Sequence, residues 1–283
     1  MTALQALVAR DRAATRRALT GDDSLLGRAL ADYLAADPTA DSVYDRPAAF
    51  AAFIRGGGNV GLYEATSAAL AAEYAATGAE SLLDIGCGDG TALLPALARR
   101  PVARVDVVEP SAALLAVTAA ALAVLPGVVA STAPATVQEF LRDLEPGRRW
   151  DLVESTFALH AVETAERTAV LQQVAARTGR VAVVVFDVPD LPPRSPAYLA
   201  FLADTYERGL AEYDDDRDLV AQGFLMPVLV GQLDTGASRA TWEQPATAWR
   251  EQFLGAGFTD VTIRPVHAYW SSPAFLLTGR GRG

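Results

Sequence analysis

The sequence predicts an α/β fold with a doubly wound, mostly parallel sheet of seven strands and helices on both faces. Residues 79–190 alternate short apolar runs with helical patterns, joined by short connections, which is typical of such a sheet. The first apolar run breaks into glycines at alternate positions before a helical pattern begins, as at a strand-to-helix turn. The second apolar run, Val105–Val108, ends at an acidic residue, Glu109.

The remaining elements follow in chain order. Residues 1–78 place leucines at helix spacing and predict a helical cap, whereas residues 191–240, with several prolines and an acidic run, are predicted to be irregular. We therefore expect a cap at 1–78 and a catalytic domain at 79–283 with a lid insertion at 191–240. Strands are predicted at 81–85, 103–108, 127–131, 150–155, 180–187, 259–266 and 273–279, and later helices at 90–99, 111–124, 135–143, 161–177 and 245–255.

Composition limits the class of partner. The chain has 283 residues and a net charge of −10, which argues against a nucleic-acid partner and favours a small-molecule substrate. No apolar stretch has membrane-spanning length, and the N-terminal residues show no secretory signal. The single cysteine fits a reducing compartment. We expect a cytoplasmic protein with no membrane and no nucleic-acid partner.

The glycine segment after the first predicted strand indicates a ligand site. Gly86, Gly88 and Gly90 allow a tight turn and a close approach of the backbone to a bound molecule. The helix that follows directs its free N–H groups at that molecule. Glu109 lies about 20 residues further on, where a carboxylate suits the two hydroxyls of a ribose. The pattern predicts a nucleoside-containing cofactor.

The residues around the glycines narrow the choice of cofactor class. A dinucleotide fingerprint would need a glycine at position 91, which is Thr91, and a phosphate loop would need a lysine, which the chain lacks. Asp84 at the strand end would repel a phosphate but can accept from a cationic amino group. The segment Asp84-x-Gly86-x-Gly88-x-Gly90 resembles motif I of the class I S-adenosylmethionine-dependent methyltransferases.

The resemblance covers residues 79–190 and, more weakly, 241–283. It implies a Rossmann-like sheet whose last strand is antiparallel, S-adenosylmethionine as cofactor and no metal. In such enzymes the acid at the Asp84 position holds the methionine amino group, the start of the helix after the third strand cradles the adenine, and the end of the fourth strand contacts the methionine part. The implied cofactor-binding residues are Asp84, Gly86, Cys87, Gly88, Gly90, Glu109, Pro110, Val137, Gln138 and Ser155.

His160 is the candidate catalytic residue. It follows the predicted fourth strand, where many small-molecule members of the family also carry a histidine, and an imidazole can accept a proton at neutral pH. A packing role at the start of a helix stays equally open. Cys87 has no partner in the sequence for nucleophilic or metal chemistry and is expected to offer backbone contacts only. Two histidines and one cysteine make no metal-ligand pattern.

Acceptor choice is expected to come from the regions outside the sheet. Aromatic residues are frequent there, and part of them should pack in the core while the rest line an apolar pocket. A run of three glycines, residues 56–58, is expected to act as a hinge. The residues assigned to the pocket or lid are Tyr44, Arg55, Asn59, Tyr63 and Tyr206.

Three functions remain open at this stage. The first is a methyltransferase that acts on a small, largely apolar metabolite of specialised metabolism. The second is an enzyme that breaks a different bond of the same cofactor, by aminocarboxypropyl transfer or cyclisation, and releases methylthioadenosine. The third is a non-catalytic regulatory protein that binds S-adenosylmethionine, against which the intact Asp84, glycine loop and Glu109 argue.

Overall fold

The computed structural model describes residues 2–36, 47–233 and 241–283. The chain forms two compact units. The first comprises the described residues of Met1–Val60, Asp190–Arg239 and Tyr269–Ser271, and the second comprises those of Gly61–Pro189, Ala240–Ala268 and Ser272–Gly283.

Five α-helices precede the first strand of the described chain, and helices and strands then alternate as far as the fifth strand. The helices are α1 (Ala3–Val8), α2 (Arg12–Leu19), α3 (Leu25–Ala35), α4 (Pro47–Arg55), α5 (Asn59–Thr77), α6 (Leu93–Arg99), α7 (Ala112–Leu122), α8 (Val137–Arg142), α9 (Thr164–Ala175), α10 (Pro196–Ala211), α11 (Arg217–Val220), α12 (Met226–Leu233) and α13 (Ala246–Ala256). The strands are β1 (Ser81–Ile85), β2 (Arg104–Val108), β3 (Val129–Ala133), β4 (Trp150–Thr156), β5 (Thr178–Phe186), β6 (Thr259–His267) and β7 (Ala274–Arg280).

The second unit contains a sheet in which the seven described strands have the order β3-β2-β1-β4-β5-β7-β6. Strands β1 to β5 are parallel to one another, and β7 runs antiparallel to both β5 and β6. This confirms the predicted mostly parallel sheet with an antiparallel last strand. Because β1 and β4 are adjacent in the middle of the sheet, their carboxyl ends lie side by side, where doubly wound sheets bind ligands.

Alternate residues of the central strands serve two separate cores. Leu82, Leu152 and Val184 pack with α5, α6 and α7 on one face. Leu83 and Val153 pack on the other face with α9 and α13. This period of two follows from the pleat of a strand, and it fixes which side chains at the strand ends share a face.

The prediction that residues 191–240 are irregular is wrong, because this stretch contains α10, α11 and α12. Pro196 does not interrupt a helix, because it occupies the first turn of α10, where a missing N–H removes no helical hydrogen bond, and the Ser195 side chain caps that turn. Leu199, Leu202 and Leu210 of α10 lie in the core of the first unit.

The structure places β3 two residues later than predicted. Gly127 adopts a φ of +75°, so the chain turns at this glycine before the strand begins. Leu122 and Leu125, which precede Gly127, pack in the same core as the buried residues of α7. No helix in the described parts of the chain is long and apolar enough to cross a membrane.

Candidate active site

The loop between β1 and α6 needs glycine at its two ends. Gly86 has a φ of +77°, and its N–H donates to the Val108 carbonyl at 2.7 Å. A Cβ on Gly86 would lie 2.3 Å from the Cβ of Ala158, which follows β4. Gly90 has a φ of +81°, and a Cβ at this position would lie 2.7 Å from the Leu94 side chain. The loop is therefore held tightly against the turn after β4.

Gly88, in the middle of the loop, differs from the other two glycines. Its φ is +55°, and a Cβ at this position would have no atom within 4 Å. Its carbonyl accepts from the Thr118 hydroxyl at 2.8 Å, and its N–H donates to Glu109. Gly88 therefore combines a fixed backbone with open space beside its Cα, as a surface for a ligand requires.

We expect Gly88→Ala to weaken the binding of S-adenosylhomocysteine about tenfold or more, because the added methyl group would occupy this open space. Gly147→Ala is the matched control, since Gly147 also has a positive φ, +87°, with nothing within 4 Å of a Cβ, but precedes the opposite end of β4. Both variants should lose about 1–2 kcal/mol of stability to backbone strain. If calorimetry gave equal affinities for the two variants, the assignment of Gly88 to the ligand-binding surface would be wrong.

Glu109 is held in place before any ligand arrives. The residue is buried, and one carboxylate oxygen accepts from the Gly88 N–H at 3.1 Å while the other accepts from the Ser111 N–H at 2.9 Å. A carboxylate offers about four lone-pair directions, so both oxygens can accept further hydrogen bonds. Glu109 is thus a fixed, doubly anchored acceptor beside the glycine loop.

Asp84 lies at the end of β1 and is 3% exposed. Burial, followed by the charge of Glu109, raises the pKa of Asp84 to about 8. Among the described residues, its Oδ1 has no hydrogen-bond partner. A buried carboxyl group with an unpartnered oxygen is costly to the fold, and such groups concentrate at functional sites. Asp84 can become a carboxylate when a cation such as an ammonium group approaches.

The remaining residues of the predicted cofactor set surround the same strand ends. Cys87 is half-buried, and burial raises the pKa of its thiol above its usual value, with the charges of Asp84 and Glu109 adding to the effect. The thiol is therefore protonated and a poor nucleophile. Ser155 is buried on β4 and donates its hydroxyl to the Ile85 carbonyl at 2.8 Å, which joins the ends of β1 and β4.

The two residues predicted near the adenine begin α8, and Pro110 follows Glu109. Val137 is buried, whereas the half-buried Gln138 uses its amide nitrogen to donate to Glu166 at 3.0 Å. The carbonyl oxygen of this amide takes no part in that hydrogen bond and can accept from another donor. Pro110 is exposed directly after β2.

An aromatic cluster lies at the carboxyl ends of β4 and β5. The Phe157 ring stacks on Phe186 with ring centres 4.6 Å apart, and the Tyr63 ring meets Phe157 edge-on at 5.9 Å. All three side chains are half-buried. Burial raises the pKa of Tyr63 to about 12, with a further contribution from the charge of Asp89, so this phenol stays protonated. The rings form an apolar wall next to the turn that Gly86 contacts.

Phe157 has a φ of +48°, which is rare for a bulky side chain. Its N–H donates to the Val184 carbonyl at 2.9 Å, so the sheet fixes the strained backbone. Backbone strain of this kind costs about 1–3 kcal/mol and clusters at ligand sites.

His160 belongs to a single 3₁₀ turn, Leu159–Ala161, that a buried arginine supports. Arg167 is fully buried, lies over the Trp249 ring at 4.1 Å, and donates to the carbonyls of Leu159 and Trp242. The Trp242 N–H in turn donates to the His160 carbonyl at 2.7 Å. Hydrogen bonds from Arg167 and from Trp242 therefore hold the turn that carries the imidazole.

The imidazole of His160 is half-buried. Burial lowers the pKa of His160 below its usual value, and the charge of Arg167 acts in the same direction, whereas that of Glu243 opposes it. The imidazole is therefore neutral at neutral pH and able to accept a proton. Among the described residues, no group of three or more histidine, cysteine or acidic side chains is arranged to hold a metal ion.

Three of the residues predicted for the acceptor pocket or lid lie in the first unit. Asn59 is buried and makes three side-chain bonds: it donates to the Phe53 carbonyl and the Tyr213 hydroxyl and accepts from the Tyr269 hydroxyl. Tyr206 is 5% exposed in the core of this unit, whereas Arg55 is exposed. Tyr44 lies outside the described residues.

The three-glycine segment predicted as a hinge is closely packed within the first unit. A Cβ on Gly56 or Gly57 would lie 3.0 Å from the Tyr213 ring, and one on Gly58 would lie 3.2 Å from a Glu212 oxygen. The glycines therefore allow the side chains of Glu212 and Tyr213 to pack closely against this segment of backbone.

Sequence reasoning missed Tyr74, Phe157, Phe186 and Arg167. Tyr74 and Arg167 are helical residues with no local motif, and only the packing of α5 and α9 shows their partners. Phe157 directly follows the fourth strand and is adjacent in sequence to residues that were assigned a role, so its position was the one available signal.

Comparison with known proteins agrees with this geometry. Residues 83–180 match the family model of a methyltransferase domain, and no curated protein matches the chain. The chain is similar to the solved structure of the mitomycin 7-O-methyltransferase MmcR, with 17% identity, a TM-score of 0.52, and coverage of 94% of this chain and 72% of that chain. At this identity, the likeness shows the fold.

Two further solved structures share the fold. The S-adenosylmethionine-dependent methyltransferase SibL in its apo form is 19% identical, with a TM-score of 0.51, over 76% of this chain and 54% of that chain. Magnesium protoporphyrin IX methyltransferase (ChlM) from Synechocystis PCC 6803 with bound S-adenosylhomocysteine is 18% identical, with a TM-score of 0.50, over 79% of this chain and 84% of that chain.

The fold and the matched domain define a class I S-adenosylmethionine-dependent methyltransferase fold, as the sequence resemblance predicted. Residues 83–180 match the model of a methyltransferase domain, and the chain shares its fold with solved structures of S-adenosylmethionine-dependent methyltransferases.

Proposed function

We propose that the protein transfers the methyl group of S-adenosylmethionine to a small, largely apolar acceptor of specialised metabolism. The observation that carries this proposal is the aromatic cluster of Tyr63, Phe157 and Phe186 beside the glycine loop. Aromatic faces attract a sulfonium cation through their quadrupole and exclude water from the reacting groups. The same surface offers an apolar acceptor a place to pack next to the methyl group.

The cofactor roles form part of the same proposal. Asp84 accepts from the ammonium group, Glu109 accepts from both ribose hydroxyls, and the open face of Gly88 contacts the nucleoside. Val137 and Gln138 border the adenine through a backbone N–H and an amide oxygen, and the Ser155 carbonyl approaches the methionine part. These roles agree with the raised pKa of Asp84 and with the fixed position of Glu109.

Methyl transfer itself requires alignment more than chemical groups. The acceptor atom forms a bond to the methyl carbon as the bond to sulfur breaks, and S-adenosylhomocysteine leaves. Proximity and exclusion of water supply much of the acceleration. The names of MmcR and ChlM give mitomycin and magnesium protoporphyrin IX as the molecules that they methylate, which supports a small-molecule acceptor for a chain with the same fold.

The nucleoside product tests this function against the alternative chemistry. Incubation with S-adenosylmethionine and candidate apolar acceptors, followed by mass analysis, should give S-adenosylhomocysteine in an amount equal to the methylated acceptor. Methylthioadenosine as the product would show that the protein breaks a different bond of the cofactor. Binding without turnover of any acceptor would favour the regulatory alternative.

His160 is proposed to contact the acceptor. We expect His160→Ala to raise KM for the acceptor while the affinity for S-adenosylhomocysteine and the melting temperature stay near those of the wild type. If His160 is instead the general base, kcat should fall about 10²–10⁴-fold, and the loss should shrink at alkaline pH for an acceptor that ionises by itself.

The control for His160→Ala is His267→Ala, at the end of β6, where the imidazole packs against Gly61. It should leave both acceptor and cofactor constants unchanged. A lower melting temperature with unchanged turnover in His160→Ala would show that His160 packs structurally and would contradict its proposed contact with the acceptor.

The other parts of the sequence interpretation stay predictions. The assignments of residues 1–78 as a cap and of residues 191–240 as a lid are among them. A cytoplasmic location rests on the single cysteine and the composition.

A further inference from the structure

Glu154 is an ionisable residue that the proposed function does not use. It lies in the central strand β4, is 0% exposed, and accepts from the Tyr74 hydroxyl at 2.7 Å through Oε1. A carboxyl group in a fully buried strand position is costly unless each of its polar atoms finds a partner. Within the described residues, Glu154 Oε2 has none.

Asp84, on the neighbouring strand β1, is also a buried carboxyl group with an unpartnered oxygen. Its Oδ1 also has no hydrogen-bond partner among the described residues. Asp84 and Glu154 are paired in the parallel register of β1 and β4, and neighbouring strands lie about 4.8 Å apart. Their side chains point to the same face, because Leu82 and Leu152, two residues before each, share one core with α5. The two unpartnered oxygens therefore belong to adjacent carboxyl groups.

One proton between these carboxyl groups would satisfy both oxygens. Burial and the charge of Asp84 raise the pKa of Glu154 well above its usual value, so Glu154 keeps its proton when Asp84 ionises. Tyr74 contributes no competing charge, since burial and the charge of Glu154 also raise its pKa. The other titratable group that acts on Asp84 is Glu109, which supplies no positive charge.

We propose that Glu154 is a positioning residue that acts as a neutral carboxylic acid and donates its Oε2–H to Asp84 Oδ1. Tyr74, Glu154 and Asp84 then form a relay in which each O–H donates to the next group and the last acceptor is Asp84. The relay fixes the Asp84 carboxylate and leaves its second oxygen for the ammonium group of the cofactor. This inference rests on the proposed contact between Asp84 and that ammonium group.

A neutral acid and a carboxylate predict different results for two substitutions. Glutamine can accept from Tyr74 through its oxygen and donate to Asp84 through its nitrogen, so it imitates the neutral acid. Leucine has similar volume and neither function. If Glu154 acted as an anion on the cofactor, glutamine and leucine would be equally harmful.

The experiment measures the affinities of wild type, Glu154→Gln and Glu154→Leu for S-adenosylhomocysteine and for its analogue without the α-amino group. We expect Glu154→Gln to bind S-adenosylhomocysteine within about twofold of the wild type and Glu154→Leu to bind it about tenfold more weakly. The analogue should bind all three proteins equally, because the relay acts only through the ammonium group.

Two results would overturn the relay. Equal losses in the glutamine and leucine variants would mean that Glu154 acts by its charge, and equal losses for both ligands in Glu154→Leu would mean a structural role. If Glu154→Leu does not fold, Tyr74→Phe gives a smaller loss, about threefold, with the same dependence on the amino group if the relay exists. Wild type that binds both ligands equally would instead overturn the contact between Asp84 and the ammonium group.

Discussion

Asp84→Asn should weaken the binding of S-adenosylhomocysteine about 100-fold and at the same time stabilise the unliganded protein. The loss of affinity follows because an amide replaces the charged acceptor for an ammonium group, and hydrogen bonds to charged groups contribute about 1.5–3 kcal/mol. The gain in stability follows because an amide stays neutral at every pH, whereas the buried carboxyl group of Asp84 is costly to ionise.

The stability effect depends on pH in a defined direction. Because the pKa of Asp84 is about 8 in the folded protein and near 3.8 in an unfolded chain, the folded state binds one more proton between these values. The free energy of unfolding of the unliganded wild type should therefore fall as pH rises from about 5 to 8. In Asp84→Asn this contribution disappears, so the melting temperature of the variant should exceed that of wild type most clearly near pH 8.

Asp106→Asn is the control, because Asp106 is also a buried strand aspartate but accepts from Arg148 and the Trp150 indole, each at 2.6 Å. That variant should lose stability and keep its affinity for S-adenosylhomocysteine. Thermal denaturation at pH 6 and pH 8 together with calorimetry separates the two behaviours. A destabilised Asp84→Asn with unchanged affinity would mean that Asp84 is a structural residue.

Glu109→Ala should weaken the binding of S-adenosylhomocysteine about 10- to 100-fold, because it removes a charged acceptor for two ribose hydroxyls. The substitution also removes the acceptor for the Gly88 and Ser111 N–H groups, so part of the loss could come from a looser loop. An analogue with a 2′,3′-dideoxyribose separates these causes.

If Glu109 binds the ribose, the analogue should bind wild type and Glu109→Ala with nearly equal affinity. If Glu109 only holds the loop, both ligands should lose the same factor. Calorimetry of two proteins with two ligands gives the coupling between Glu109 and the hydroxyl groups directly. Glu109→Gln, which keeps one acceptor oxygen, should lie between wild type and Glu109→Ala.

Sequence reasoning predicted the sheet well because local patterns determine it. The apolar run Ser81–Ile85 followed by three glycines is compatible with few structures other than a strand and a tight turn. The acid at position 109 directly follows the end of the next strand. In contrast, residues 196–211 were taken as irregular because prolines were counted without regard to their position in a helix. An apolar stripe at helix spacing was the better signal in that stretch.

The candidate site also has features that the sequence predicts and features that it does not. Glycines and acids next to strand ends are visible in the sequence, because the loop geometry demands those residue types. The partner of Glu154 is not visible, since Tyr74 lies 80 positions earlier and reaches it only when α5 packs on the sheet. The left-handed backbone of Phe157 is equally hidden, because tertiary contacts fix it against the preference of the residue.

A crystal structure of the protein with S-adenosylhomocysteine tests the central claim most directly. The account predicts that the nucleoside lies along the open face of Gly88, with both ribose hydroxyls within hydrogen-bond distance of Glu109 and the amino group next to Asp84. A ligand bound away from the carboxyl ends of β1 and β4, or with its ribose turned away from Glu109, would contradict it.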